Sequence, residues 1–127
     1  MSTLPAIPRR YGWKPDAPDH RDFVFPLKLG AVHLPPSVDL SPLYPEAPYD
    51  QGELGSCTSN SGVGVMQFDQ KRQAVDTERG SRLFLYYNTR CLEGTTSQDS
   101  GGTIRDACKA INRYGACAET MWPDNRH

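Results

Sequence analysis

No stretch of this chain approaches the roughly 20 apolar residues that a membrane-spanning helix needs. Excess charge of either sign is missing too. Lys and Arg number 14 against 15 Asp and Glu, for a formal net charge of −1. That balance removes the electrostatic case for nucleic acid or an anionic membrane as partner. No Cys-x-x-Cys pair occurs among Cys57, Cys91, Cys108 and Cys117, and the histidines are scattered at 20, 33 and 127. The pattern therefore predicts no structural zinc, no other metal and no cofactor. The first residues, Met1 to Arg10, have no apolar core of the kind a Sec signal requires. Reduced thiols and a cytoplasmic location are then the default, with a disulfide among Cys91, Cys108 and Cys117 left open. Hydrophobic residues make up 37% and the mean hydropathy is −0.62, which predicts a modest core in a single globular domain.

Proline is nearly absent after residue 48: all but one of the eleven lie before that point. The proline-rich part reads as extended and loop-like, because proline fixes φ and removes a backbone donor. The rest reads as helical. A proline-free run begins at Ser56, a plausible N-cap, and continues to about Ala74. Val63, Met66, Gln67 and Gln70 share one face of it. Gly62 and Gly64 cost about 1 kcal/mol each in helix propensity, and make sense if another element packs closely there. A second helix is predicted over Ser81–Leu92, with Leu83, Tyr86, Tyr87 and Arg90 on one side and Phe84 on the flank. A third runs from Thr103 to about Tyr114. Ile104, Ala107, Cys108 and Ile111 follow helical spacing there, and Gly115 closes it. Cys108 is expected to be a buried core thiol. No convincing strand pair and no internal repeat is visible.

The chemistry concentrates at Cys57, in the run Tyr49-Asp50-Gln51-Gly52-Glu53-Leu54-Gly55-Ser56-Cys57. A thiol at a helix N-terminus is a candidate nucleophile, since the backbone N–H groups and the helix dipole favour its thiolate. The glycines at 52 and 55 allow the loop to fold back and bring the Gln51 amide toward the sulfur. This run resembles the active-site segment of papain-like cysteine peptidases, whose local signature is Cys-Gly-[Ser/Ala]-Cys-[Trp/Tyr]. Gly55-Ser56-Cys57 matches, while Leu54 replaces the first cysteine and Thr58 the aromatic residue. The resemblance implies that Cys57 is the nucleophile and Gln51 an oxyanion donor. The missing first cysteine implies a missing family disulfide, so the loop must be held another way.

Further segments resemble the same family. In Asp99-Ser100-Gly101-Gly102, the pair Gly101 and Gly102 matches the family's substrate-groove glycines, against which an extended peptide adds as a strand. Read by itself, that segment is a turn into the third helix. Thr103 stands where an aromatic residue often follows the pair. Residues Tyr11 to Asp22 resemble the short segment ahead of the catalytic domain in some bacterial members. They read either as a tail packed on the surface by Tyr11, Trp13 and Phe23 or as a prosegment occluding the groove. Glu119-Thr120-Met121-Trp122-Pro123 resembles the segment that crosses toward the β-rich half.

The implied fold class is the papain-like α+β family. The portion present is mainly α: the left, helical half with an extended proline-rich N-terminal segment, and no β-rich right half. The implied division is 1–33 as an N-terminal extension or short prosegment and 34–127 as the truncated helical half of the peptidase domain. In such enzymes the catalytic histidine and asparagine lie roughly 130–150 residues beyond the nucleophile, past residue 127 of this sequence. The implied activity is peptide-bond hydrolysis through a Cys57 thioacyl intermediate, with this chain inactive by itself. Expected partners are a peptide or protein substrate and, through the exposed cleft face, a complementary chain or a second copy. The competing readings are a non-catalytic peptide- or partner-binding module and a thiol redox-responsive protein.

Overall fold

A computed structural model describes residues 11–24, 34–44, 47–75 and 78–125. The element order is β1 (Trp13–Lys14), a 3-10 turn (Ser41–Leu43), α1 (Cys57–Arg72), α2 (Arg82–Glu93), β2 (Gly102–Thr103) and α3 (Ile104–Tyr114). The three helices surround a small core of Val63, Leu85 and Ala110, with Tyr49, Leu92 and Ile111 packed against it. Among the described residues, no helix is long and apolar enough to cross a membrane.

The glycines of α1 mark close approaches. A Cβ at Gly62 would sit 3.1 Å from a Leu85 methyl and 3.3 Å from one of Ile111. A Cβ at Gly64 would sit 2.6 Å from the Tyr44 hydroxyl. The lost helix propensity is thus exchanged for contact with α2, α3 and the chain before Cys57. Ser56 occupies the N-cap position, but its side chain makes no capping bond. Its carbonyl and hydroxyl instead accept from Asn60 Nδ2, at 2.8 and 3.0 Å. Thr103 does cap α3, accepting from the Asp106 N–H at 3.1 Å, and Ser81 caps α2 by accepting from Phe84 N–H. Gly115 ends α3 with φ 69°, its N–H donating to the Ile111 carbonyl.

Four expectations need correction. There is a strand pair: β1 and β2 form a two-residue parallel ladder, with Trp13 opposite Gly102 and Lys14 opposite Thr103. Two residues are too few to leave a periodic signal, and the partners lie far apart in sequence. Second, the inward stripe of α2 is Arg82, Leu85, Tyr86 and Thr89, not one containing Leu83, Tyr87 and Arg90. Polar side chains are buried because each has a partner; Thr89 Oγ1, for one, donates to the Leu85 carbonyl at 2.8 Å. Tyr87 turns outward instead and stacks on Trp122, ring centroids 5.6 Å apart. Third, Cys108 is exposed. The buried positions of α3 are Ala107 and Ala110, whose small side chains allow close helix contact and leave Ile104 and Cys108 on the flank. Fourth, Tyr11, Trp13 and Phe23 do not anchor the N-terminal segment, being 76%, 57% and 105% exposed. Backbone bonds and ion pairs hold it instead. All four thiols are free.

Candidate active site

Cys57 is the first residue of α1, where a backbone N–H has no acceptor within the helix. The preceding loop folds back as its glycines allow. Gly52 adopts φ 56°, and the Gln51 side-chain amide donates to the Leu54 carbonyl at 2.9 Å. That bond fixes the plane of the amide. Gln51 and Cys57 then line the same open groove of about 800 Å³, with Tyr44, Tyr49, Val65 and Phe68 among its walls.

Gly101 lies near the loop before Cys57, with Gly12 between them. Gly101 has φ 73°, a left-handed conformation that a side chain would strain. A Cβ on Gly102 would lie 3.3 Å from Thr58 Oγ1, so Gly102 packs against the first turn of α1. The backbone of both glycines is already engaged. Gly102 N–H donates to the Gly12 carbonyl at 2.8 Å, and Gly101 N–H to the Tyr86 hydroxyl at 3.0 Å. Gly12 is wedged between Gly55 and Gly101: a Cβ on Gly12 would overlap the Gly55 carbonyl oxygen, and one on Gly101 would overlap the Gly12 carbonyl oxygen.

Ion pairs hold the N-terminal segment in that slot. Lys14 pairs with Glu93. Arg105, in the first turn of α3, donates its N–H to Asp16 at 3.0 Å and its guanidinium to Asp19 at 3.4 Å and Asp22 at 2.7 Å. Hydrogen bonds from the Arg21 side chain and backbone, with the Arg105 charge adding to them, hold the Asp19 carboxyl down at about 2.

Sequence reasoning gave no role to four residues that shape the site. Arg82, 4% exposed, donates to the Asp50 carbonyl at 3.0 Å and to Asn60 Oδ1 at 3.4 Å. It pairs with Glu119 and Asp124 and lies over the Tyr49 ring, 4.7 Å from its centroid. Asn60 passes this anchorage to Ser56 through the bonds already described. Asp99 accepts the Gly55 N–H at 3.0 and 3.2 Å and the Tyr86 hydroxyl at 2.5 Å. Burial, then the bond to Asp99, pushes the Tyr86 phenol up to about 12. The available signal was the repeat of polar or amphipathic residues at 82, 86 and 89, a helical stripe that only internal partners can bury.

His20 is exposed, with Nδ1 3.8 Å from Asp19; His33 and His127 lie outside the described residues. Among the described residues, no group of three His, Cys, Asp or Glu side chains is placed to hold a metal ion.

No family model matches the chain. It is 47% identical over 74 residues to an uncharacterised peptidase C1-like protein of Acanthamoeba polyphaga mimivirus, an alignment covering 58% of this chain and 24% of that protein. The crystal structure of xylellain, a cysteine protease from Xylella fastidiosa, superposes with a TM-score of 0.79 at 44% identity, covering 89% of this chain and 42% of that one. The chain thus spans less than half the length of either relative. With a helical trio led by a cysteine and a two-strand ladder at the glycine pair, it has the papain-like cysteine peptidase fold, of which it supplies the N-terminal segment and the helical half.

Proposed function

We propose that this chain carries the nucleophile side of a papain-like cysteine peptidase active site. The observation that carries this reading is the convergence of Cys57, at the start of α1, and Gln51 on one groove. The Cys57 sulfur attacks a peptide carbonyl. The developing oxyanion is met by the Cys57 backbone N–H and the Gln51 amide, whose orientation the Leu54 carbonyl sets. Loss of one such donor typically lowers the rate about 100- to 1,000-fold. The amine leaves with a proton from a general acid, and water then hydrolyses the thioacyl intermediate. Among the described residues no histidine lines the groove, so in this reading the base and its orienting group come from a complementary half across it.

In the same reading Gly101 and Gly102 form the strand-addition site for substrate. The Gly12–Lys14 backbone now holds that site, so the N-terminal segment acts as a built-in strap, and a peptide gains access only when the strap leaves. Fluorogenic peptide turnover tests the whole scheme. The 127-residue chain is expected to be silent, and a protein that also includes the complementary half is expected to turn over in a manner abolished by Cys57→Ala. Cys57-dependent turnover by the short chain alone refutes the division of labour. Turnover by the longer protein that survives Cys57→Ala refutes the nucleophile.

A further inference from the structure

The nucleophile loop carries leucine at 54, where the resembling family has a cysteine, yet it is not left unanchored. Asp99 reaches across 44 residues of sequence and receives the Gly55 N–H on both carboxylate oxygens. The same carboxylate receives the Tyr86 hydroxyl, and that hydroxyl oxygen accepts the Gly101 N–H. One buried phenol and one carboxylate thus join the backbone two residues before Cys57 to the backbone of the substrate-groove glycines. The anchor is itself fixed. Tyr86 is fully buried, with the Arg90 guanidinium 4.1 Å from its ring centroid. Arg90 Nη1 also donates to the Thr96 and Gln98 carbonyls, at 3.2 and 2.7 Å, and so holds the loop that ends at Asp99. Gly55 favours the contact: a Cβ there would press on Asp99 Oδ1 at 3.0 Å and on Gly12 Cα at 3.3 Å, displacing one or the other by a few tenths of an ångström.

We propose that Asp99 is a positioning residue for the nucleophile, and that the Asp99–Tyr86 pair is a non-covalent clasp doing the work of a cross-link between the Cys57 loop and Gly101. Hydrogen bonds to a carboxylate are short and strong, and this one is part-buried, with Gly55 and Tyr86 themselves buried. A clasp of this kind needs no oxidant, so the geometry of Cys57 does not depend on the redox state of its surroundings. The inference rests on the peptidase reading for its meaning, but it predicts behaviour of the loop that can be read without any peptide hydrolysis.

The test uses the full 127-residue chain and three variants: Asp99→Ala, Asp99→Asn and Tyr86→Phe. Amide exchange is followed residue by residue by NMR. Cys57 alkylation by iodoacetamide is followed by peptide mass mapping, with the exposed Cys91 and Cys108 as internal references. Asp99→Ala is expected to speed exchange of the Gly55 amide about 10-fold or more, with α2 and α3 amides little changed, and to raise the Cys57 alkylation rate relative to Cys91. Asp99→Asn keeps an acceptor in place and is expected to restore most of both. Tyr86→Phe is expected to release the Gly101 amide while Gly55 stays protected. Unchanged Gly55 exchange in Asp99→Ala overturns the proposal, as does equal alkylation in the Ala and Asn variants, which marks a charge effect. A uniform rise across all amides also overturns it. If Asp99→Ala does not fold, the Asn and Phe variants decide by the same amides. A Cys57 that proves inert toward peptides leaves these readouts intact, so the two readings fail separately.

Discussion

Arg82 is a charged side chain in a position that a helix normally gives to leucine, one turn from the core residues Leu85 and Tyr86. Burial of a guanidinium is tolerable because Glu119 and Asp124 neutralise it and the Asp50 carbonyl and Asn60 use its donors. Removing it leaves two carboxylates, 17% and 1% exposed, without their cation. We expect Arg82→Ala to cost about 3–5 kcal/mol, measured by urea denaturation. A cost within the range of an exposed surface substitution would show that the network is replaceable by water. Because Arg82 also ties the loop before Gln51 to the first turn of α1, the residue couples stability to the site. Its charge is plain in the sequence; its burial is not, since the partners lie more than twenty residues away on both sides.

At the scale of elements, the N-terminal segment is the part whose attachment can be tuned. The backbone at Gly12 is not in the positive-φ region, so an added methyl is not strained in itself and acts only by collision with the Gly55 carbonyl. Gly12→Ala is therefore expected to lift β1 off β2 without unfolding the helices. Limited proteolysis should cut residues 11–24 faster, while helical circular dichroism stays the same; unchanged proteolysis would place the segment's anchorage wholly in its ion pairs. Two carboxyls, Asp19 in the segment and Asp106 in α3, also give a pH window. The Asp19 carboxyl is held down at about 2, chiefly by hydrogen bonds to Arg21. Asp106 at the start of α3 is lowered from 3.8, chiefly by its bond to Lys109. A depressed carboxyl contributes stability that is present above its unfolded value and lost as pH falls through its folded one. Protection of the segment and of the first turn of α3 should thus be level from neutral pH down to 3.8 and decline from there toward about 2, as read by amide exchange. A decline already at mildly acidic pH would assign the attachment to other groups.

For the molecule as a whole, the groove beside Cys57 leaves Leu40 and Val65 54% and 62% exposed, on a core that consists of few residues. Apolar surface of this kind marks a face that another body covers. We propose that the complementary half of the peptidase covers it, and that the 127-residue chain alone associates with itself through the same face. Sedimentation should show a concentration-dependent increase in mean mass, reduced by Val65→Asp at the groove wall. A clean monomer over a wide concentration range would count against the exposed face as an association surface.

Local rules in the sequence determined the three helices, because proline distribution, caps and helical spacing act within a few residues. They also determined the candidate nucleophile motif, since Gln51, Gly55, Ser56 and Cys57 lie in one short run. The tertiary structure alone decided that Arg82 and Tyr86 are buried, because they become acceptable inside only when partners from distant segments supply their hydrogen bonds. It also decided where the N-terminal segment lies. A two-residue ladder and ion pairs to Arg105 form between stretches some ninety residues apart, and no periodicity along the chain encodes such a meeting. The loop held without its first cysteine shows the same division. Leu54 announces the missing cross-link, and only the fold brings Asp99 to the Gly55 amide.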